Sequence, residues 1–112
     1  MIINFDSIAP KSVMNFKGGK KEVVLSIYED DANKILRGVL SPGASIGMHT
    51  HEADSEIMYI ISGKGKLING DSDTPENAAP GTCHYCPKGC SHSLINDGET
   101  ELVFFAVIPG RK

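Results

Sequence analysis

Residues 43–63 read GASIGMHTHEADSEIMYIISG, and the reading of this stretch decides the reading of the rest. Residues 57–61, IMYII, are strand formers. Just before them His49 and His51 stand two apart, so on an extended chain both side chains leave one face, about 7 Å apart along it. That is a chelating geometry. Glu52, Asp54 and Glu56 are the next candidate ligands, and only Glu56 directly precedes the apolar run. A hairpin turning through residues 52–55 would bring Glu56 back beside His51 on the neighbouring strand. Two imidazoles and one carboxylate make a facial set suited to Fe, Mn, Ni or Zn. The alternative is a chance His-x-His whose rings are surface or hydrogen-bonded groups, because a short motif depends on its context.

Outward from this stretch, short apolar runs recur between turn residues. Strands are expected at residues 23–28, 35–40, 44–51, 56–62, 64–68, 82–86, 92–95 and 102–108, with a weak edge strand at 1–5. Residues 69–80, with Asn69-Gly70 and two prolines, read as a turn and an irregular connection. Nowhere do apolar residues repeat at helical spacing over three turns. The pattern predicts an all-β sandwich or barrel with little or no helix. Residues 56–62 and 102–108 are apolar on both alternating faces, so an outer face needs cover. A second copy of the chain, giving a homodimer, is the expected cover; the chain's own N-terminal strand is the alternative.

The chain has 112 residues, room for a single domain (1–112) with one core and one pocket. Eleven basic against 14 acidic residues, net −3, give no footprint for nucleic acid or an anionic membrane. The cluster Lys17, Lys20, Lys21 reads as a solvated turn. No segment has the length of a membrane span, and the amino terminus lacks a basic region followed by a long apolar stretch. Three cysteines crowded into residues 83–90 do not form a secreted disulfide framework. These features predict a soluble protein of the reducing cytoplasm.

A second cluster, residues 81–96, reads GTCHYCPKGCSHSLIN. Its Pro87-Lys88-Gly89 turn delivers His92 at the head of a strand, in place to be a fourth ligand. A sulfur site at Cys83, Cys86 and Cys90 competes with this. Strand parity opposes it, because residues three apart point to opposite faces. Cys90, two residues from His92, is expected near the pocket mouth.

Together the two clusters resemble the signature motifs of the cupin superfamily. The pattern G-x5-H-x-H-x4-E-x6-G is met by Gly43, His49, His51, Glu56 and Gly63, and G-x5-P-x-G-x2-H-x3-N by Gly81, Pro87, Gly89, His92 and Asn96. At about 5% usage per residue type, five fixed positions coincide roughly once in several million starts. One motif pair with a short segment between resembles a small single-domain cupin. The resemblance implies a jelly-roll β-barrel holding one divalent metal at His49, His51, Glu56 and His92, with Gly63 and Gly89 in turns and Asn96 ending its strand on local backbone. By parity with Glu56, the pocket wall is expected at Met58, Ile60 and Leu94, mostly apolar.

Four ligands on a six-coordinate ion leave two adjacent positions open, which suits a metal-dependent enzyme of the dioxygenase, isomerase or lyase type acting on a small oxygenated or aromatic metabolite. Tyr59, Tyr85 and His84 are the candidates for a general base, although Tyr59 has the wrong parity to face the metal. The alternative is a non-catalytic small-molecule-binding or sensor module whose metal holds the ligand or staples the fold.

Overall fold

The computed structural model describes residues 1–110. Ten strands run in order: β1 (Lys11–Met14), β2 (Glu22–Glu29), β3 (Asn33–Leu40), β4 (Ser45–Thr50), β5 (Glu56–Ser62), β6 (Gly65–Asn69), β7 (Glu76–Ala78), β8 (Cys83–Cys86), β9 (Ser91–Ile95) and β10 (Leu102–Pro109). Two single turns of 3-10 helix, Phe5–Ser7 and Phe16–Gly18, are the only helical elements among the described residues. The strands form two antiparallel sheets, one of six in the order β1-β2-β3-β10-β5-β8 and one of four in the order β4-β9-β6-β7.

The fold is the expected all-β jelly roll, and of the two forms the sequence allowed, sandwich and barrel, it takes the sandwich: the sheets are not closed into a barrel. The first sheet ends at β1 and β8 and the second at β4 and β7, so no strand ladder crosses between them. Edge strands of three and four residues, β7 and β8, are too short to carry a ladder around the seam.

Period-two alternation builds the core. Along β10, Leu102, Phe104, Ala106 and Ile108 point inward and are buried, and the inward residues of β5 are Glu56, Met58 and Ile60. The Phe104 ring packs against Gly38, its register partner on β3, and its nearest atom stands 2.2 Å from where a Cβ on Gly38 would be. Only glycine leaves room for that ring. The outward residues of β5 remain uncovered: Ile57, Tyr59 and Ile61 are 40%, 45% and 47% exposed.

Two local expectations fail. Residues 1–5 form no strand: Met1 and Ile2 lie in solvent, and the Asn4 side chain caps the first 3-10 turn by accepting from the Asp6 N–H at 3.1 Å. The N-terminal strand is β1, which pairs with β2 and does not cover β5. Within the connection 69–80, β7 forms because β6 presents an open edge, and it is pinned by buried Ala78 and by Lys66–Asn77 and Asn69–Glu76 side-chain hydrogen bonds at 2.5 Å.

Candidate metal centre

His49 stands on β4 directly opposite His92 on β9, just past an irregularity in the ladder between Ile46 and His49. His51 lies one residue beyond β4, where strand pairing no longer fixes it. The turn of the second cluster does so instead: the His51 N–H donates to the Cys90 carbonyl at 3.0 Å and the Gly89 N–H donates to the His51 carbonyl at 2.6 Å. Glu56 opens β5, which belongs to the other sheet. The predicted hairpin is therefore corrected. β4 pairs with β9, and β5 with β10 and β8, so residues 52–55 cross between sheets. The crossing still brings Glu56 to His51, because the two sheets face one another there.

The four side chains converge. His51 Nε2 and His92 Nε2 lie 3.0 and 2.8 Å from Glu56 Oε1, and His92 Nε2 lies 3.1 Å from both His51 Nε2 and His49 Nε2. One donor atom from each of the four falls within 4.8 Å of every other. Two donors held about 2.1 Å from one ion at a right angle are about 3 Å apart, which is the spacing found.

Hydrogen bonds behind the rings aim them. His49 Nδ1 meets the Gly47 carbonyl at 2.7 Å and His51 Nδ1 meets Asp54 Oδ1 at 2.8 Å. Both acceptors call for a proton on Nδ1, which leaves each Nε2 as a lone pair facing the Glu56 carboxylate. Lone pairs and an anion gathered on one point, largely out of water, repel unless a cation or a proton lies between them. In the metal-free protein a proton serves: the hydrogen bond to Glu56 holds the His51 pKa above its ordinary value, against burial and with help from Asp54. Burial pushes the Glu56 carboxyl up, but hydrogen bonds and charge from His51 and His92 outweigh it and bring the pKa down to about 2. Burial lowers His49 and His84. The donor set fits a transition-metal ion.

A cavity of about 360 Å³ opens onto these residues. Met58 and Leu94 line it, while Ile60, of the same parity, is fully buried deeper in the core and does not. Tyr59 and Tyr85 face outward, at 45% and 59% exposure. His84 is buried behind His92, with ring centroids 5.3 Å apart. The cysteines serve no common site: Cys83 is exposed, and Cys86 is buried, its thiol pushed up to about 11 by that burial. Cys90 borders a separate surface hollow with Cys86, so its expected place at the pocket mouth is corrected. Asn96 bonds local backbone through Thr100 and Gly98, and it also reaches across the fold to donate to the Leu40 carbonyl at 2.8 Å.

Sequence reasoning missed Lys17 and Lys34, which border the cavity. The turn carrying Lys17 is pressed onto β4, where the Lys17 carbonyl oxygen lies 2.0 Å from where a Cβ on Gly47 would be. Glycine at position 47 beside a Gly18-Gly19 pair was the available signal.

An open sandwich of two antiparallel sheets that gathers three histidines and a glutamate at one interior end has the architecture of a cupin, with a donor set suited to a metal ion. The chain belongs to the cupin family: the cupin domain model matches residues 36–108. It is 36% identical to an oxalate-binding protein of Thermotoga maritima, over 96% of this chain and 93% of that protein. A solved structure from Thermotoga maritima, described as a predicted oxalate decarboxylase, superposes with a TM-score of 0.87 at 35% identity, covering 97% of this chain and 98% of that one. The polyketide cyclase RemF of Streptomyces resistomycificus shares the fold at 19% identity and a TM-score of 0.80, over 97% of this chain and 78% of that one.

Proposed function

We propose that the protein uses one divalent transition metal, Fe, Mn, Ni or Zn, held by His49, His51, Glu56 and His92, to bind a small oxygenated acid through two of its oxygens. The convergence of three imidazole nitrogens and one carboxylate oxygen on one point carries this reading. The cavity has the size of a small-molecule site, with Met58 and Leu94 as apolar wall and Lys17 and Lys34 as cations for an acidic ligand. The relative named for oxalate binding supports the same ligand class. When bound, the ion supplies a Lewis acid that polarises the ligand oxygens. The chain's own residues do the rest. Gly47 and Asp54 hold the Nδ1 protons of His49 and His51, the lysines attract the acid, and the apolar wall excludes water.

A second reading, metal-dependent turnover of that acid by dioxygenase, isomerase or lyase chemistry, is favoured by Glu52 and Asp54. Their crossing segment borders the cavity and places two carboxylates where a proton could move to or from a bound acid.

Titration calorimetry of oxalate, malonate and pyruvate into metal-free, Mn-, Fe-, Ni- and Zn-loaded protein separates these readings from their failure. Binding that requires metal supports the proposal, and equal binding without metal, or none in any form, overturns it. Oxygen uptake or product formation in the same samples decides for turnover.

Four features extend the reading. Net charge of −3 gives no reason to invoke a nucleic-acid partner, and among the described residues no helix is long and apolar enough to cross a membrane. Free thiols at Cys83, Cys86 and Cys90 support placement in the reducing cytoplasm. The exposed Ile57, Tyr59, Ile61 and Tyr85 on adjacent strands β5 and β8 support a homodimer through that outer face.

A further inference from the structure

Two of the histidines at the centre have a hydrogen-bond acceptor behind the ring, the Gly47 carbonyl for His49 and Asp54 for His51. His92 has none: its Nδ1 is buried without a hydrogen-bond partner. Among the described residues the other buried side-chain nitrogen in the same condition is Nδ1 of His84. Their ring centroids lie 5.3 Å apart and their planes are 20° from parallel.

The proton positions follow from the far end of a chain of contacts. A carboxylate only accepts, so at the 2.5 Å contact with Glu76 Oε1 Asn69 must present its Nδ2. Asn69 Oδ1 then faces His84 Nε2 at 2.9 Å, and that nitrogen must carry the proton. A neutral His84 therefore keeps a lone pair on Nδ1. His92, if its Nε2 is to hold a metal, must carry its own proton on Nδ1. A donor without an acceptor and an acceptor without a donor lie buried in neighbouring rings. Strand register supplies the frame: Asn69 stands opposite His92 across β6 and β9, and His84 stands opposite Met58 across β8 and β5.

We infer that His84 is the positioning residue of His92: with the two planes only 20° apart, a small shift that brings the rings side by side lets His84 Nδ1 accept the His92 Nδ1 proton, and so turns the His92 Nε2 lone pair toward His49, His51 and Glu56. Asn69 and Glu76 set the His84 tautomer from the protein surface. This inference rests on the metal-binding reading for its purpose, but the tautomer it requires of His84 exists with or without metal.

Nitrogen-15 histidine spectra of the whole protein at mildly alkaline pH, metal-free and with Zn²⁺, test it directly. The expected result is His84 protonated at Nε2 in both samples and His92 protonated at Nδ1 with Zn²⁺; His84 protonated at Nδ1 overturns the inference. His84→Phe keeps a ring against His92 but removes the acceptor, and should raise the Zn²⁺ dissociation constant about 10–100-fold, the usual effect of losing an outer partner of a metal-bound histidine. His84→Gln, whose amide oxygen accepts, should recover part of the loss, and Asn69→Leu should lose less than His84→Phe. A His84→Phe protein that binds Zn²⁺ like wild type overturns the inference. So does a loss that His84→Gln does not recover. Should a variant fail to fold, the wild-type spectra still decide. Wild-type protein that binds no metal would instead defeat the proposed function, with the His84 tautomer in the metal-free sample still deciding the relay.

Discussion

Buried polar groups occur at both ends of the sandwich interior, and the two ends treat them differently. Asn96, fully buried, donates from Nδ2 to the carbonyls of Leu40 and Thr100 and accepts from the Gly98 N–H on Oδ1. Its neighbours at that end, Leu40 and Leu102, are register partners and wholly buried. At the other end Glu56, His51 and His92 are also buried, yet their inward Nε2 and Oε1 atoms, together with His49 Nε2, are acceptors crowded against one another with too few protons to pair them. A polar residue whose bonds are all made inside the chain is a staple. A polar cluster whose bonds are not all made is a receptor for something the chain does not supply.

Removing a ligand breaks the receptor end most severely. His51→Ala should release most of the metal, a loss larger than the about 10–100-fold typical of outer partners, while the metal-free protein keeps its fold. Elemental analysis after dialysis checks it, and full occupancy in the variant would show that the centre lies elsewhere. The staple end should respond the other way. Asn96→Ala takes a donor from the buried Leu40 carbonyl as well as from the more exposed Thr100 carbonyl, at about 1–3 kcal/mol for a buried group left unsatisfied. Urea unfolding should show that cost, with metal affinity close to wild type.

Acidity sharpens the contrast, because the receptor is built of ionisable side chains and the Asn96 staple is not. The Glu56 pKa is lowered from 4.5 to about 2, so its contribution to stability is complete above pH 4.5 and lost as pH falls toward 2. His51 is raised above 6.5, so its contribution is complete below 6.5 and lost as pH rises through its folded value. His49 and His84 are lowered, so the stability they add is present above 6.5 and lost as pH falls through their folded values. An ion on the cluster displaces the His51 proton, so metal binding below the folded His51 value should release protons. Calorimetry in buffers of different ionisation enthalpy measures that release, and a binding heat independent of buffer would contradict it. Asp54→Asn, which removes the carboxylate behind His51 and keeps an oxygen there, should weaken metal binding by about tenfold at most.

The contrast also explains what was legible before the structure. Spacing located the four residues that meet, because on extended chain a two-residue step keeps His49 and His51 on one side and a turn redirects His92. Alternation located most strands for the same reason. Pairing partners were not legible. Residues 52–55 carry hairpin chemistry, and only the competition of β9 for β4, and of β10 and β8 for β5, makes them a crossing between sheets. Lys17 and Lys34 were missed as parts of the site, and His84 was named only as a candidate base and not as a neighbour of His92, because each reaches the site from another segment through contacts that local pattern does not encode. The N-terminal residues alternate like a strand but have no open edge to join, since β1 already occupies that side of β2.

The outer face of β5 gives the smallest effect on folding and the clearest reading of a surface. Its inward partners Met58 and Ile60 are buried, whereas Ile57, Tyr59 and Ile61 on the other side are about half exposed and adjoin Tyr85 on β8. Solvent-facing substitutions away from special features change stability by about 0.5 kcal/mol or less. Tyr59→Lys should therefore leave the melting temperature and metal affinity of the protomer nearly unchanged. If a second copy covers this face, the same change places a charge on each side of the interface and should convert a dimer to monomers by sedimentation. A wild-type chain that sediments as a monomer at every concentration would show that the face has no second copy to meet, and the apolar residues there would then need a different cover.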